Sequence, residues 1–331
     1  MSRKTMVYIS LMIIIIILFT GCGSIRKKKQ LDDKVGATSA DSHDLDEKED
    51  SDEEIRDTLL YYQDDNGYLV PVVRKIPWEE GIAKAAISKM MDTDEQQIDF
   101  MAMGLKPILP ASTVINGLSV NDGLAKLDLN KDVMERANAV DEYNMIHGTA
   151  MALCEFPAID RVQFLFDGEI IDKLPHGTDV SGPIVPEDLN LEMGESSRID
   201  GEKVTVFYHN RSSSQYKYLV PITRISSFDS MTLENAINEL LTGPNPDSGL
   251  EFDIPLGTRL LGVQIEGNSA NINLSNEFES LADHSENEDI VLRSIYMTIK
   301  EFSGIEDVNI LVDGKGYGAK GVSVPTFINQ Y

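Results

Sequence analysis

Tyr68-Leu69-Val70-Pro71 recurs in this 331-residue chain as Tyr218-Leu219-Val220-Pro221, with Arg74 and Arg224 following. A tetrapeptide alone is weak evidence of duplication, but the match extends on both sides of a common offset. Ala83, Ala86, Ile87, Met90 and Met91 fall on Leu233, Ala236, Ile237, Leu240 and Leu241. That spacing is the apolar face of a helix, and Gly243-Pro244 stops it in the second copy. At a slightly shorter offset Thr113, Gly117, Leu118 and Val120 lie over Thr258, Gly262, Val263 and Ile265. Ala125, Leu127 and Leu129 then lie over Ala270, Ile272 and Leu274, and alternation at period two predicts half-buried strands.

A second amphipathic helix follows in each copy. Met145, Ile146, Ala150, Met151, Leu153 and Phe156 match Val291, Leu292, Tyr296, Met297, Ile299 and Phe302. In the second copy Ser285 and Glu288 have the spacing of a capping box. Val162, Phe164 and Phe166-Asp167-Gly168 match Val308, Ile310 and Val312-Asp313-Gly314, a closing strand that ends in a turn. Each copy therefore reads as a strand pair, a helix, two strands, a helix and a strand. The class is α+β: two tandem copies of a two-layer sandwich, a mixed or antiparallel sheet packed against two helices, with one open sheet face or edge. The first domain is expected over residues 57–184 and the second over 203–331, joined by a Pro-, Glu- and Asp-rich linker at 185–202.

Upstream, Arg3 and Lys4 precede an apolar run from Met6 to Phe19, and small Thr20 and Gly21 precede Cys22. This is the layout of a bacterial lipoprotein signal, with residues 1–21 removed and Cys22 lipidated as the new N-terminus. Phe19 departs from the Leu usual three residues before the cysteine. The run is shorter than the about 20 residues of a membrane-spanning helix, and an Ala-x-Ala cleavage site is absent; an uncleaved anchor is the alternative. Either way the rest of the chain faces outside the cytoplasm. Residues 22–56 read as a disordered tether: Arg26 and Lys27 to Lys29 lie near the anchor, and the acidic run Asp41 to Glu54 has Leu45 as its only large apolar side chain.

The formal charge of −26 becomes more negative by two once Arg3 and Lys4 leave. Such a surface repels polyanions, which argues against nucleic acid and teichoic acid as partners. With Cys22 committed to lipid, Cys154 has no disulfide partner and reads as a partly buried helix thiol. His43, His147, His176, His209 and His284 show no metal-ligand spacing. No nucleophile elbow, zincin, calcium or phosphate-loop motif occurs. Asp167 and Asp313 stand before glycine, as turn chemistry favours. No catalytic, cofactor or metal residue is expected, and Cys22 is the one site residue.

The leader, the acidic tether, the doubled Tyr-Leu-Val-Pro, the Leu127 to Asn130 strand with its counterpart Ile272 to Ser275, and the Asp-Gly turns together resemble the GerM family of sporulation and spore germination proteins. Leu174-Pro175-His176-Gly177-Thr178-Asp179-Val180-Ser181 is similar to the tail of that family's GerMN domain; the second copy departs there, with Gly314, Gly316, Gly318 and Gly321. The resemblance covers about residues 58–331. It implies a fold similar to ring-building modules of secretion systems and a non-enzymatic, membrane-anchored role in assembling the channel between mother cell and forespore. The partners implied are envelope proteins, with a homo-oligomer left open. A cell-wall enzyme, or a ligand-binding lipoprotein with its site between the copies, is the alternative.

Overall fold

The repeated tetrapeptide supplies the second strand of a hairpin in each copy. In this computed structural model the residues described are 55–77, 81–186, 188–192, 201–226, 228, 230–318, 322–323, 325 and 328–330. The leader, Cys22 and the tether lie outside them. In the first copy β1 (Ile55–Asp64) pairs antiparallel with β2 (Leu69–Pro77), which places Tyr61 opposite Pro71. There follow α1 (Ile82–Ser88), α2 (Asp94–Met101), β3 (Leu105–Lys106), β4 (Ile115–Asn121), β5 (Gly123–Leu129), α3 (Ala139–Cys154) and β6 (Ile159–Phe166). After β7 (Leu191–Glu192) the second copy runs β8 (Lys203–Arg211), β9 (Lys217–Ile225), α4 (Leu233–Leu241), β10 (Leu260–Glu266), β11 (Ser269–Leu274), α5 (Ser285–Lys300) and β12 (Asp307–Val312). The short β13 (Lys315–Gly316) and β14 (Val322–Ser323) pair with β12.

The α+β class and the tandem plan are those expected, but the strands of each copy divide between two small sheets. Order β2-β1-β3 stands beside β4-β5-β6, and β7-β9-β8 beside β10-β11-β12-β13. In both mixed sheets the first pair is antiparallel and the second parallel, the helix α3 or α5 making the crossover. Helix α3 packs on β1 and on β6, and ten of its sixteen residues are buried. Small Gly148, Thr149 and Ala150 let neighbouring elements approach, and polar Glu142 and Asn144 are buried with hydrogen-bond partners, while Val140 and Tyr143 stay exposed. A Cβ on Gly148 would lie 2.6 Å from Ile108 Cδ1 and 3.1 Å from Leu69 Cδ2, so the hairpin comes close.

The family-like motifs are structural ties. Asp167 and Gly168 have φ of 51° and 80°, Asp313 and Gly314 of 46° and 76°, the paired left-handed residues of a tight hairpin turn. Asp128 Oδ1 accepts the Gly168 N–H and Asn273 Oδ1 the Gly314 N–H, each at 2.9 Å. Two residues on, Asn130 Oδ1 accepts from Val114 N and Ser275 Oγ from Arg259 N, at 2.8 and 2.9 Å. The Leu-Asp-Leu-Asn-like strand thus spaces its polar residues to pin the turn and the neighbouring strand.

Two local expectations change. The capping box does not form: His284 is the N-cap of α5, Ser285 is already helical, and no side chain caps the first turn. Glu288 instead accepts the Tyr317 hydroxyl at 2.9 Å. Helix α2, absent from the repeat pattern, belongs to the first copy; it turns only Gln96 and Phe100 to the core and leaves Ile98 and Met101 exposed, so its apolar residues do not follow its buried face.

Residues 52–331 form one compact unit, and the seam inside it explains the prolines. Residues 69, 71 and 73 of β2 turn their backbone groups away from β1, toward β9, and residues 219, 221 and 223 of β9 do the reciprocal. Asn190 Oδ1 accepts from Leu69 N at 2.9 Å, while its Nδ2 donates to Leu69 O and Pro221 O, both at 2.8 Å. Asn329 Oδ1 accepts from Leu219 N at 2.8 Å, and its Nδ2 donates to Leu219 O and Pro71 O, both at 2.9 Å. Each asparagine holds the leucine of one hairpin and the proline of the other. Proline fits there because its missing N–H faces an edge where only a carbonyl is used. The tails cross: Leu191 of the segment between the copies pairs with Thr223 of β9, and Gln330 bridges Val73 of β2, both parallel.

Candidate functional site

Beside the seam the copies enclose a cleft of about 570 Å³. Its wall from the first copy is the outer face of α3, where Tyr143 stacks on His147 with ring centroids 3.9 Å apart. Asp188 and Glu192 come from the joining segment, Ile222 and Asp247 from the second copy. The lining combines an aromatic and apolar floor with an acidic rim, a setting for an apolar or cationic group. Asp64, outside the lining, ties the β1–β2 turn to the second hairpin: its Oδ1 accepts from Asn66 N and Tyr68 N at 2.9 Å, its Oδ2 from Asn210 Nδ2 at 3.1 Å and Tyr218 Oη at 3.4 Å. Burial raises the Asp64 pKa, and those four hydrogen bonds oppose the rise.

The histidines are scattered. His43 lies outside the described residues, His147 lines the cleft, and His284 starts α5. His176 belongs to the family-like tail, whose anchor is Glu142 of α3. Its carboxylate accepts the N–H groups of His176 at 2.7 Å and Thr178 at 2.9 Å. Burial would raise the Glu142 pKa, yet these N–H groups outweigh it and hold the carboxyl below its ordinary value. The equivalent residue of the second copy is Glu288, which holds Tyr317 in place of such a tail. Cys154 is half-buried, and burial, with Asp160 and Glu155 adding, pushes its thiol to about 11, so it stays protonated at neutral pH. Asp167 accepts from Asn116 Nδ2 at 3.2 Å, a turn role.

His209 of β8 meets two carboxylates that no sequence spacing announces. Its Nε2 lies 3.2 Å from Asp253 Oδ2 and 3.5 Å from Glu251 Oε2. A two-way backbone bridge between His209 and Glu251 brings the loop before β10 alongside β8. Burial lowers the His209 pKa, with Asp253 and Glu251 pulling the other way. The grouping was hidden because a strand and a loop forty residues apart form it.

Cys22, the one site residue expected from sequence, lies outside the described residues. Among those described, no helix is long and apolar enough to cross a membrane.

The Germane family, described as sporulation and spore germination, matches twice, over residues 59–172 and 205–318. The spore germination protein GerM of Bacillus subtilis (strain 168) is 27% identical over 262 residues, covering 77% of this chain and 71% of that protein. The solved tandem GerMN domains of the sporulation protein GerM from Bacillus subtilis superpose with a TM-score of 0.67 at 25% identity. That match covers 84% of this chain and 99% of that structure. Two family units, a shared tandem architecture, and turn-pinning motifs in both copies make this chain a member of the Germane family of sporulation and spore germination proteins.

Proposed function

We propose that this protein is a lipoprotein anchored through Cys22 to the outer face of the cell membrane, where its two units act without catalysis as an assembly module during sporulation, in the channel complex between mother cell and forespore. The observation that carries the reading is a matched pair of terminal strands. Strands β4 and β10 end their mixed sheets and have the same pattern of exposure along seven residues. Strand β4 (Ile115 to Asn121) carries no charge, and Val120 on β4 and Ile265 on β10 are exposed. Strand β10 carries a single charge, Glu266 at its end, and edge strands so poor in charge are what proteins usually avoid unless another chain pairs with them.

The test places a lysine on each edge. Val120→Lys with Ile265→Lys should leave thermal stability near that of the parent, since both side chains are exposed, while recovery of envelope partners from sporulating cells and the yield of functional spores fall. Unchanged recovery and spore yield would remove the edges from the reading. Mass spectrometry of the mature protein should find lipid on Cys22, lost in Cys22→Ala, and a mature N-terminus elsewhere would end the anchoring part.

The cleft beside the seam supports a second reading, a ligand-binding or wall-associated lipoprotein. Peptidoglycan turnover by the purified chain, abolished by one Asp or Glu substitution, would favour it.

A further inference from the structure

The fold does not require the His209 cluster, and the first copy demonstrates it. The backbone bridge of His209 with Glu251 has its counterpart in the pairing of Gln63 with Lys106. Two residues on, Asp253 corresponds to Ile108, which is buried in the core. On the same scaffold the first copy thus carries an amide, an ammonium and a hydrocarbon. Gln63 Nε2 donates to Asp141 at 2.8 Å, and Lys106 pairs with Asp65 at 2.5 Å. The second copy replaces all three with metal-ligating groups, and a ladder that stands without them does not account for their convergence.

The geometry fits an ion. The ligand atoms of His209, Glu251 and Asp253 all lie within 4.8 Å of one another. Tetrahedral zinc at about 2.0–2.2 Å from each ligand needs neighbouring ligands roughly 3.3–3.6 Å apart, and the two histidine distances are 3.2 and 3.5 Å. The imidazole is 3% exposed, whereas the carboxylates of Glu251 and Asp253 are 32% and 23% exposed, so the outer side can admit a water as fourth ligand. Arg211 donates from Nε, at 2.7 Å, and from Nη2 to Glu251 Oε2, the oxygen nearest His209, and orients that carboxylate as second-sphere donors do. A neutral imidazole, two carboxylates and the Arg211 guanidinium leave the group one unit negative, with the Lys217 ammonium the next charge near it. One nitrogen and two oxygens suit zinc or a neighbouring transition metal; calcium takes six or more oxygens, and magnesium keeps most of its waters.

We propose that His209, Glu251 and Asp253 bind one divalent transition-metal ion of the zinc class, in the second copy alone. The ion ties the loop before β10 to the hairpin strand β8.

The test is titration of the metal-free full-length chain with Zn²⁺ by calorimetry, alongside thermal unfolding with and without Zn²⁺. The chain should bind one zinc at this site and unfold at a higher temperature when loaded. His209→Gln installs the residue of the first copy and retains an amide facing Asp253. It should fold without zinc as the parent does and bind zinc on the order of 100-fold more weakly, losing an inner ligand where even outer-shell changes cost about 10–100-fold. Asp253→Asn should weaken it too, and decides the matter if His209→Gln misfolds. Gln63→Ala should not change zinc affinity. Millimolar Mg²⁺ or Ca²⁺ should not displace the zinc. Zinc binding that persists unchanged in both cluster variants, which would place the ion elsewhere in the chain, or no saturable binding by the parent, would overturn the proposal.

Discussion

The two copies share the asparagine ties of their seam and differ mostly elsewhere, Asp64 opposite Asn210 being a difference at the seam itself. At the seam Asn190 and Asn329 make the same three hydrogen bonds to leucine and proline positions of the two hairpins. Away from it, Gln63, Lys106 and Gly148 of the first copy stand where the second has His209, Glu251 and Ser294, and Glu142 anchors a tail that Glu288 does not. The agreement marks what the architecture demands. The differences mark where each copy has its own task.

The strongest way to break that comparison is to separate the copies. A fragment of residues 55–192 keeps Asn190 but loses Pro221, and a fragment of 201–331 keeps Asn329 but loses Pro71. Each also loses a strand-like tail from the other. Each should unfold well below the intact chain, and mixing them should restore part of the lost stability, as read by calorimetry. Fragments as stable as the parent would show the seam to be idle contact.

Asn329→Ala is the next largest effect. It leaves the Leu219 N–H and the Leu219 and Pro71 carbonyls without their partner in a buried place, at a cost of about 2–4 kcal/mol. Asn190→Ala breaks an equal number of bonds at a less buried residue and should cost less in the same denaturant titration. The reverse order would mean that burial does not set the strength of these ties and that the left-handed backbone of Asn190, at φ 51°, costs alanine more than the difference in burial.

A smaller contrast depends on pH. Asp64 and Asn210 occupy equivalent hairpin positions and bond to each other across the seam, but only Asp64 ionises. Its folded pKa is raised above the ordinary 3.8 by burial, with hydrogen bonds from Tyr68, Asn210, Asn66 and Tyr218 opposing. An acid with a raised folded pKa contributes its stability in full below the unfolded pKa and loses it as pH rises through the folded one. Asp64→Asn removes that loss. Relative to the parent, the variant should therefore gain stability between about pH 4 and pH 7, measured from urea midpoints at both ends. A relative loss over that range would contradict the sign.

The smallest effect concerns the second helix. Gly148→Ser copies Ser294 into the first copy, where the new Cβ must displace Ile108 Cδ1 from 2.6 Å; about 1 kcal/mol is expected. In the second copy Ser294 has room for its side chain, which donates to the Phe207 carbonyl. An unchanged midpoint for Gly148→Ser would show that α3 has room the packing does not suggest.

Short-range pattern carried most of this fold. Period-two alternation found β5 and β11, the helical stripe found α4 and α5, and Asp-Gly marked both turns, because each signal is set by neighbours in sequence. Helix α2 escaped because Ile98 and Met101 face solvent, and the capping box at Ser285 failed because the helix begins one residue early. The division of the strands between two sheets was hidden as well: periodicity says which side of a strand is covered, not by which element. The seam was illegible for the same reason. Asn190 sits in a polar stretch that looks like linker and Asn329 two residues from the last one, outside the repeated motifs, and their partners are prolines and leucines whose side chains announce burial while their carbonyls do the bonding. Of the candidate site, the cleft and the His209 cluster depend wholly on contacts distant in sequence.

Asn329 and the Pro71 carbonyl that it completes are 258 residues apart. A chain lengthens at about 5–20 residues per second, so roughly 13–50 seconds separate the appearance of the two halves of that contact during synthesis. Throughout that interval the first hairpin exists with its outer edge uncovered at Pro71 and Val73, waiting for a residue that follows everything else in the repeat. The edge that later joins the two copies is thus completed only when nearly all of the second copy has been made.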